Sequence, residues 1–328
     1  MSNDAQTTAA ISPFDLFSQA RDAVLVFDVS DRTQIQLTGA DRAKFLHGFC
    51  TNDIKRLQPG QGSEGFLTNI KGKVVGHVFV FATEASLWLD TVAGQGGAII
   101  SHLDRYLIRE DVQFVSHSDR GELFITGPHA AQLLMLDEGL PPSGHVARES
   151  FGLPFDIRRV DLFGQPGFLI SLPRAGVETV KLSLLAVGCV AGSSELFESL
   201  RIAAGFPLYG IDITDENLAQ EVARTPQCIS FTKGCYLGQE PIARLDAMGH
   251  TNRELRRLRF APGAQPTPGT KLLAAETDDE VGVLTSVAPL KTVVGETLAL
   301  GYLKTKFGKP DTPVRAVCGQ EVSIGVVL

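Results

Sequence analysis

The sequence predicts an α+β fold that ends in a small all-β domain. Three observations carry this. Short apolar strands come as hairpins rather than as regular βαβ units, amphipathic stretches of period 3.6 lie between the hairpins, and after the proline- and glycine-rich residues 261–270 only strand signals remain. With 328 residues, 44% hydrophobic and 20% charged, the chain has material for two or three domains with real cores.

Strands are expected at residues 23–29 and 33–38, and Asp41 is read as the cap of a helix on which Phe45, Leu46 and Phe49 share a face. Strands at 65–68, 74–82 and 86–92 follow, the first two joined through Asn69-Ile-Lys-Gly-Lys73. Ala98, Ile99, His102, Leu103, Tyr106 and Leu107 form a helical stripe, on which His102 reads as a core-edge residue with no partner at metal-ligand spacing. A strand at 122–126 precedes a helix over 129–136 that starts behind Pro128. Next come strands at 155–162 and 167–172, then helices at 176–187 and 194–204, the second capped by Ser193. Gly94-Gln-Gly-Gly97 opens a helix but lacks the preceding lysine or the spacing of a nucleotide-binding loop. The last strands fall at 271–275, 280–288, 297–305, 314–317 and 321–327, at barrel-like spacing, with Cys318-Gly319 read as a turn.

Charge and composition exclude several classes of function. A formal net charge of −7 argues against a sequence-independent grip on nucleic acid, and the arginines in 253–259 alternate with leucines as on the solvated face of a strand. No apolar run reaches the length of a membrane span, and residues 1–12 have neither a secretion-signal nor a transit-peptide pattern, so a cytoplasmic protein is expected. Cysteines 50, 189, 228, 235 and 318 are odd in number and form no Cys-x-x-Cys pair. They indicate neither a disulfide framework nor a self-contained metal or iron–sulfur site. Spacing leaves open whether Cys228 approaches Cys235.

The densest chemistry lies in Phe231-Thr-Lys-Gly-Cys-Tyr-Leu-Gly-Gln-Glu240. Gly234 and Gly238 permit a tight loop, and a helix beginning near Gly238 would carry Pro241 in its first turn. Lys233 and that helix start would both favour the thiolate of Cys235, although a lone cysteine is as readily a small buried apolar residue.

Residues 233–240 match the Lys-Gly-Cys-Tyr/Phe-x-Gly-Gln-Glu motif, and the chain resembles the YgfZ family, folate-binding relatives of the glycine-cleavage T-protein. The resemblance extends to Gly39-Ala-Asp-Arg-Ala-Lys-Phe-Leu-His-Gly48, Cys50-Thr-Asn-Asp-Ile54 and Lys71-Gly-Lys-Val74. It includes the helix segment Glu195-Leu-Phe-Glu-Ser-Leu-Arg-Ile-Ala-Ala-Gly205, then Glu280-Val-Gly-Val-Leu-Thr-Ser286 and Ala299-Leu-Gly-Tyr-Leu303. It implies two interleaved α+β modules over 13–248 and a β-barrel over 249–328 around a central cavity. It also implies a tetrahydrofolate-like ligand, iron–sulfur client or carrier proteins as partners, and a role in assembling or repairing iron–sulfur proteins. On this resemblance Cys235 and Lys233 would carry the chemistry, Gln239 and Glu240 would shape the loop, and Arg201 would lie with Glu198 near the ligand. Two positions depart from T-proteins. The strand that carries their catalytic aspartate reads Val74-Val-Gly-His-Val78 here, and the glutamate that holds the pterin edge is Ala203, with Glu198 as its substitute. The alternative function is a tetrahydrofolate-dependent aminomethyl or other one-carbon transferase, in which Asn52, Asp53 or His77 would replace the missing acid.

Overall fold

A computed structural model describes residues 12–136, 139–150, 152–318 and 321–328. The expectations for residues 1–11 and for Gly319 lie outside them. In chain order the first elements are β1 (Leu25–Asp28), β2 (Thr33–Thr38), α1 (Arg42–His47), β3 (Gly62–Thr68), β4 (Val74–Ala82), β5 (Leu87–Thr91), α2 (Gly96–Asp104) and β6 (Gln113–Ser116). Strands β3-β4-β5-β2-β6, in that order, make a five-stranded antiparallel sheet. Strand β4 is its spine and is almost wholly buried. Its alternate residues serve two cores, Val78, Val80 and Ala82 packing with Leu46, Ile99 and Leu103, while Phe79 and Phe81 join Phe124, Phe163 and Phe206. His77 points with the second set, stacked on Phe206.

The second module contains β7 (Arg120–Thr126), α3 (Ala130–Leu133), β8 (His145–Ser150), β9 (Leu153–Val160), β10 (Gly167–Pro173), α4 (Val177–Ala186), β11 (Val190–Ala191) and α5 (Ser194–Ala204). Its sheet has the order β11-β1-β7-β10-β9-β8, so β1 crosses from the start of the chain into this module and interleaves the two. Helix α5 begins where Ser193 Oγ accepts the Leu196 N–H at 3.2 Å and ends at Gly205, whose φ of 78° suits glycine. Then come α6 (Thr225–Cys228), α7 (Gln239–Met248) and six strands, β12 (Arg253–Phe260), β13 (Lys271–Ala274), β14 (Glu280–Val287), β15 (Thr297–Lys304), β16 (Pro313–Cys318) and β17 (Glu321–Val327). These strands close as a barrel, β17 pairing back onto β12.

The α+β class and the terminal barrel are therefore as expected, with informative differences. Strands β6, β8 and β11 escape sequence reading because they lie at sheet edges, and β6 and β11 are mostly exposed, so they carry little period-2 apolar signal. Asp41 sits at the start of α1 but does not cap it; its carboxylate accepts the Asp111 N–H at 3.0 Å instead. The helix expected over 129–136 shrinks to α3, where Met135 already has a φ of 54°. Residues 261–270 connect β12 to β13 inside the barrel. The arginines of β12 are not simply solvated, since Arg257 Nη1 donates to Ala203 O at 2.9 Å and docks the barrel on α5. Among the described residues no helix is long and apolar enough to cross a membrane.

Candidate functional site

The loop between α6 and α7 presents Cys235 to solvent, whereas Cys50, Cys189 and Cys228 are buried. The loop is pinned on both sides of that thiol. Leu237 N–H donates to Gly48 O at 2.9 Å, and Leu237 O accepts Thr68 Oγ1 at 2.6 Å. Gly238, at a φ of 84°, lies so close to the β3–β4 turn that a Cβ would fall 2.3 Å from Asn69 O. Helix α7 starts at Gln239 as expected. Gln239 is partly buried, its N–H donating to Tyr236 O at 3.2 Å, and Glu240 stands exposed in the first turn.

Lys233 requires a correction. Its ammonium is buried and donates to His47 O and Cys50 O at 2.6 Å and to Asn52 O at 3.0 Å. Three acceptors use all three N–H donors of an ammonium, so Lys233 is a strut between the loop and residues 47–52 and no hydrogen-bond partner of the Cys235 sulfur. Burial pulls its pKa down to about 8, opposed by Cys50 and Asp53. Its charge lies 4.8 Å from the Tyr236 ring centroid, so Tyr236 covers the strut.

The residues expected to replace the T-protein acid divide. Asn52 is spent on structure, its amide donating to Glu64 O at 3.0 Å and Gln227 O at 2.9 Å while its oxygen accepts the Asp53 N–H. Asp53 pairs with His47 and Arg56, each at 3.3 Å. Neither residue lines the clefts described below. His77 is buried and finds an acid, but on the neighbouring strand: its Nε2 lies 2.7 Å from Glu64 Oε1. That oxygen also accepts the Cys228 thiol at 3.2 Å, and Arg224 pairs with both carboxylate oxygens while lying over the Phe206 ring. Burial works against the Glu64 charge, yet His77 and Arg224 overcome it and bring its pKa down to about 2. Burial, then Glu64, pushes the Cys228 thiol well up, and burial pushes His77 down, so these two are a neutral thiol and a neutral imidazole.

Glu64, Arg224 and Cys228 were not legible as a group. Read from sequence, the strand begins at Gly65 and leaves Glu64 just outside it; the observed register sets Phe66 opposite His77 and so brings Glu64 beside the imidazole. A hairpin extended by one residue would have found this pair. Arg224 and Cys228 arrive from α6 and its N-terminal flank by tertiary packing alone.

Glu198 and Arg201 lie elsewhere. Arg201 is buried and locks α5 to the barrel, donating to Asp212 Oδ2 at 2.8 Å, Ser286 Oγ at 3.0 Å and Phe206 O at 3.2 Å. Its remaining donors hold the Glu198 carboxylate, with Nη2 at 2.6 Å from Oε2. Glu198 keeps a third of its side chain exposed and lines a cleft of about 440 Å³ walled by Phe27, Phe197, Leu208 and Tyr209. A second cleft, of about 230 Å³, is lined by Glu64, Phe79, Asp161, Arg224 and Gln227.

This architecture matches known proteins. The GCVT N-terminal domain family matches residues 16–224. A chloroplastic protein of Arabidopsis thaliana described as a transferase is 29% identical over 97% of this chain and 74% of its own length. An aminomethyltransferase of Desulforamulus reducens is 26% identical over 88% of this chain and 80% of its own. In three dimensions, the glycine cleavage system aminomethyltransferase T of Bartonella henselae superposes with a TM-score of 0.82 over 93% of this chain and 85% of its own, and at 22% identity this likeness speaks for the fold. With interleaved modules, terminal barrel and family match in agreement, the chain belongs to the GCVT N-terminal domain family of aminomethyltransferase-like proteins.

Proposed function

We propose that the chain is a folate-binding accessory factor for assembly or repair of iron–sulfur proteins in the cytosol, of the YgfZ type, with Cys235 as its contact thiol. The observation that carries this reading is the placement of Cys235, an exposed thiol on a loop fixed by Lys233, Leu237 and Gly238. One fixed cysteine sulfur can supply a single ligand to a cluster held otherwise by a client or carrier protein; it cannot hold a cluster unaided.

The ligand site fits a pterin in an altered way. Ala203 is buried in an apolar cluster with Leu200, Leu255 and Tyr302, so the N–H edge of a pterin finds no acceptor there. Glu198 offers one in the larger cleft, its carboxylate oriented by Arg201 and flanked by aromatic walls suited to a flat bicyclic ring. Tetrahydrofolate, when bound, supplies a one-carbon carrier; the part of this chain is to hold the ring edge at Glu198.

A one-carbon transferase is the second reading, favoured by Glu64, which lines the smaller cleft and gives β3 the acid that β4 lacks. A carboxylate held near a pKa of 2 by His77 and Arg224 is a weak proton acceptor, which favours the accessory role. Complementation separates the two. Cys235→Ser is expected to abolish rescue of iron–sulfur enzyme activity in cells lacking the factor, and full rescue would overturn the thiol role. Tetrahydrofolate is expected to bind without one-carbon turnover, and Glu198→Gln to weaken binding about tenfold, the worth of one charge-assisted hydrogen bond; measured turnover would restore the transferase.

A further inference from the structure

We infer that Glu64, His77 and Cys228 form a binding site for one divalent ion of zinc-like chemistry, independent of the Cys235 loop and of the folate reading. The three candidate ligand atoms come from three separate elements, β3, β4 and α6, and all are buried and within 4.8 Å of one another. Glu64 Oε1 and His77 Nε2 are 2.7 Å apart, Oε1 and Cys228 Sγ 3.2 Å, and Sγ and Nε2 3.9 Å. Tetrahedral zinc with bonds of about 2.0 Å to nitrogen and oxygen and about 2.3 Å to sulfur needs edges of about 3.3–3.6 Å, so each separation is within about 0.7 Å of what the ion requires.

The donor set is as telling as the spacing. One thiolate, one imidazole and one carboxylate match the mixed nitrogen, oxygen and sulfur preference of zinc, and three protein ligands leave a fourth position for water or another exogenous ligand. The smaller cleft reaches Glu64 and provides access. Without an ion, His77, Cys228 and Arg224 all converge on Oε1, more donors than the lone pairs of one carboxylate oxygen accommodate. An ion relieves this crowding, because the imidazole and the sulfur then direct lone pairs at the metal. The surrounding contacts hold the ligands in place: Arg224 Nη2 engages the other carboxylate oxygen at 2.6 Å, and Thr51 Oγ1 donates to the Cys228 carbonyl at 2.6 Å. On binding, the Cys228 S–H bond breaks, its proton goes to solvent and an S–metal bond forms, while the His77 proton that faced Glu64 leaves Nε2 for solvent and Nδ1 takes one up, so that the ring changes tautomer, stays neutral and turns the Nε2 lone pair to the ion. No electrons are transferred. Thiolate and carboxylate neutralise the two positive charges of the ion; Arg224, which balances the carboxylate when the ion is absent, stays on its other oxygen and leaves one positive charge on the loaded site, which an anion at the fourth position would balance.

Cobalt(II) is the probe, because a thiolate–cobalt charge-transfer band reports sulfur ligation directly. Titrating the metal-free full chain is expected to give this band at one ion per chain, to lose it in Cys228→Ser, and to retain it in Cys235→Ser. Competition with a chromophoric chelator is expected to show zinc bound at least tenfold more weakly in His77→Gln. As Cys228 is wholly buried and its replacement could unfold the chain, X-ray absorption of the wild-type zinc form provides an independent readout, with one sulfur at about 2.3 Å among nitrogen and oxygen neighbours. Absence of a band in the wild type, its persistence in Cys228→Ser, its loss in Cys235→Ser, or a sulfur-free zinc shell would each overturn the site.

Discussion

Cys228 and Cys235 lie seven residues apart on one segment and have opposite surroundings. Cys228 closes α6 against the β3–β4 hairpin, and its buried sulfur meets a carboxylate and an imidazole. Cys235 stands free on a loop whose flanking residues, not the cysteine itself, make the anchoring contacts. The same side chain is thus an element of a packed polar cluster in one place and an accessible nucleophile in the other. What separates them is backbone support. Thr51 holds both the Cys228 carbonyl and the Ser230 N–H, whereas Lys233 holds the chain just before Cys235 and leaves the thiol outside.

The comparison breaks most severely if Glu64 is neutralised. Glu64→Gln keeps the shape of the side chain but leaves Arg224, whose side chain is only 12% exposed, without its anion; removing one partner of such a pair costs about 3–5 kcal/mol. Urea unfolding of the two proteins side by side measures this. The pH dependence has a definite sign. Glu64 titrates near 2 in the folded chain against 4.5 for an ordinary glutamate, so its stabilisation is complete above about pH 4.5 and is lost as pH falls toward 2. The acid limb of the wild-type stability curve should therefore be steeper than that of Glu64→Gln. Equal slopes would mean that the carboxylate is not held in this network.

A smaller effect is expected on the exposed side. Lys233→Met keeps the aliphatic stem under Tyr236 but strands the carbonyls of His47, Cys50 and Asn52, at a cost of about 1–3 kcal/mol. Because the strut joins the loop to residues 47–52, hydrogen exchange at the Leu237 N–H should accelerate in this variant while that of β4 stays protected. If Leu237 exchanges as slowly as in the wild type, the strut does not hold the loop.

How much of this was visible in the sequence follows from the range of each interaction. The hairpins β3–β4–β5 and β9–β10, the Ser193 cap, the Gly238 turn and the barrel strands arise from patterns a few residues long and are readable in the chain. The loop around Cys235 was readable as a motif, but the direction of the Lys233 side chain was not, since carbonyls some 180 residues earlier determine it. Glu198 was identified as the candidate acceptor for the ring edge, and its cleft depends on Arg201 reaching the barrel residue Ser286. The Glu64, His77 and Cys228 group combines a register step that was one residue short with a contact across 164 residues. Only the first of these could have come from local pattern.

The sharpest discrimination between the two cysteines costs almost no stability. Cys235→Ser changes an exposed side chain that anchors nothing among the described residues and should move unfolding free energy by less than about 0.5 kcal/mol. A maleimide labelling course resolved by peptide mass should show Cys235 in the wild type modified on mixing. Cys228 reacts only through an opening of the hairpin contacts, and if that opening requires about 4 kcal/mol its labelling is slower by about a thousandfold. The difference rests on access and on chemistry together, because burial and Glu64 also keep Cys228 in its unreactive thiol form. Adding denaturant separates these causes: if access governs, the two rates should converge through the unfolding transition and not before it. Early convergence would show that α6 detaches from the hairpin in the native state, and the two cysteines would then differ by degree of exposure rather than by the architecture around them.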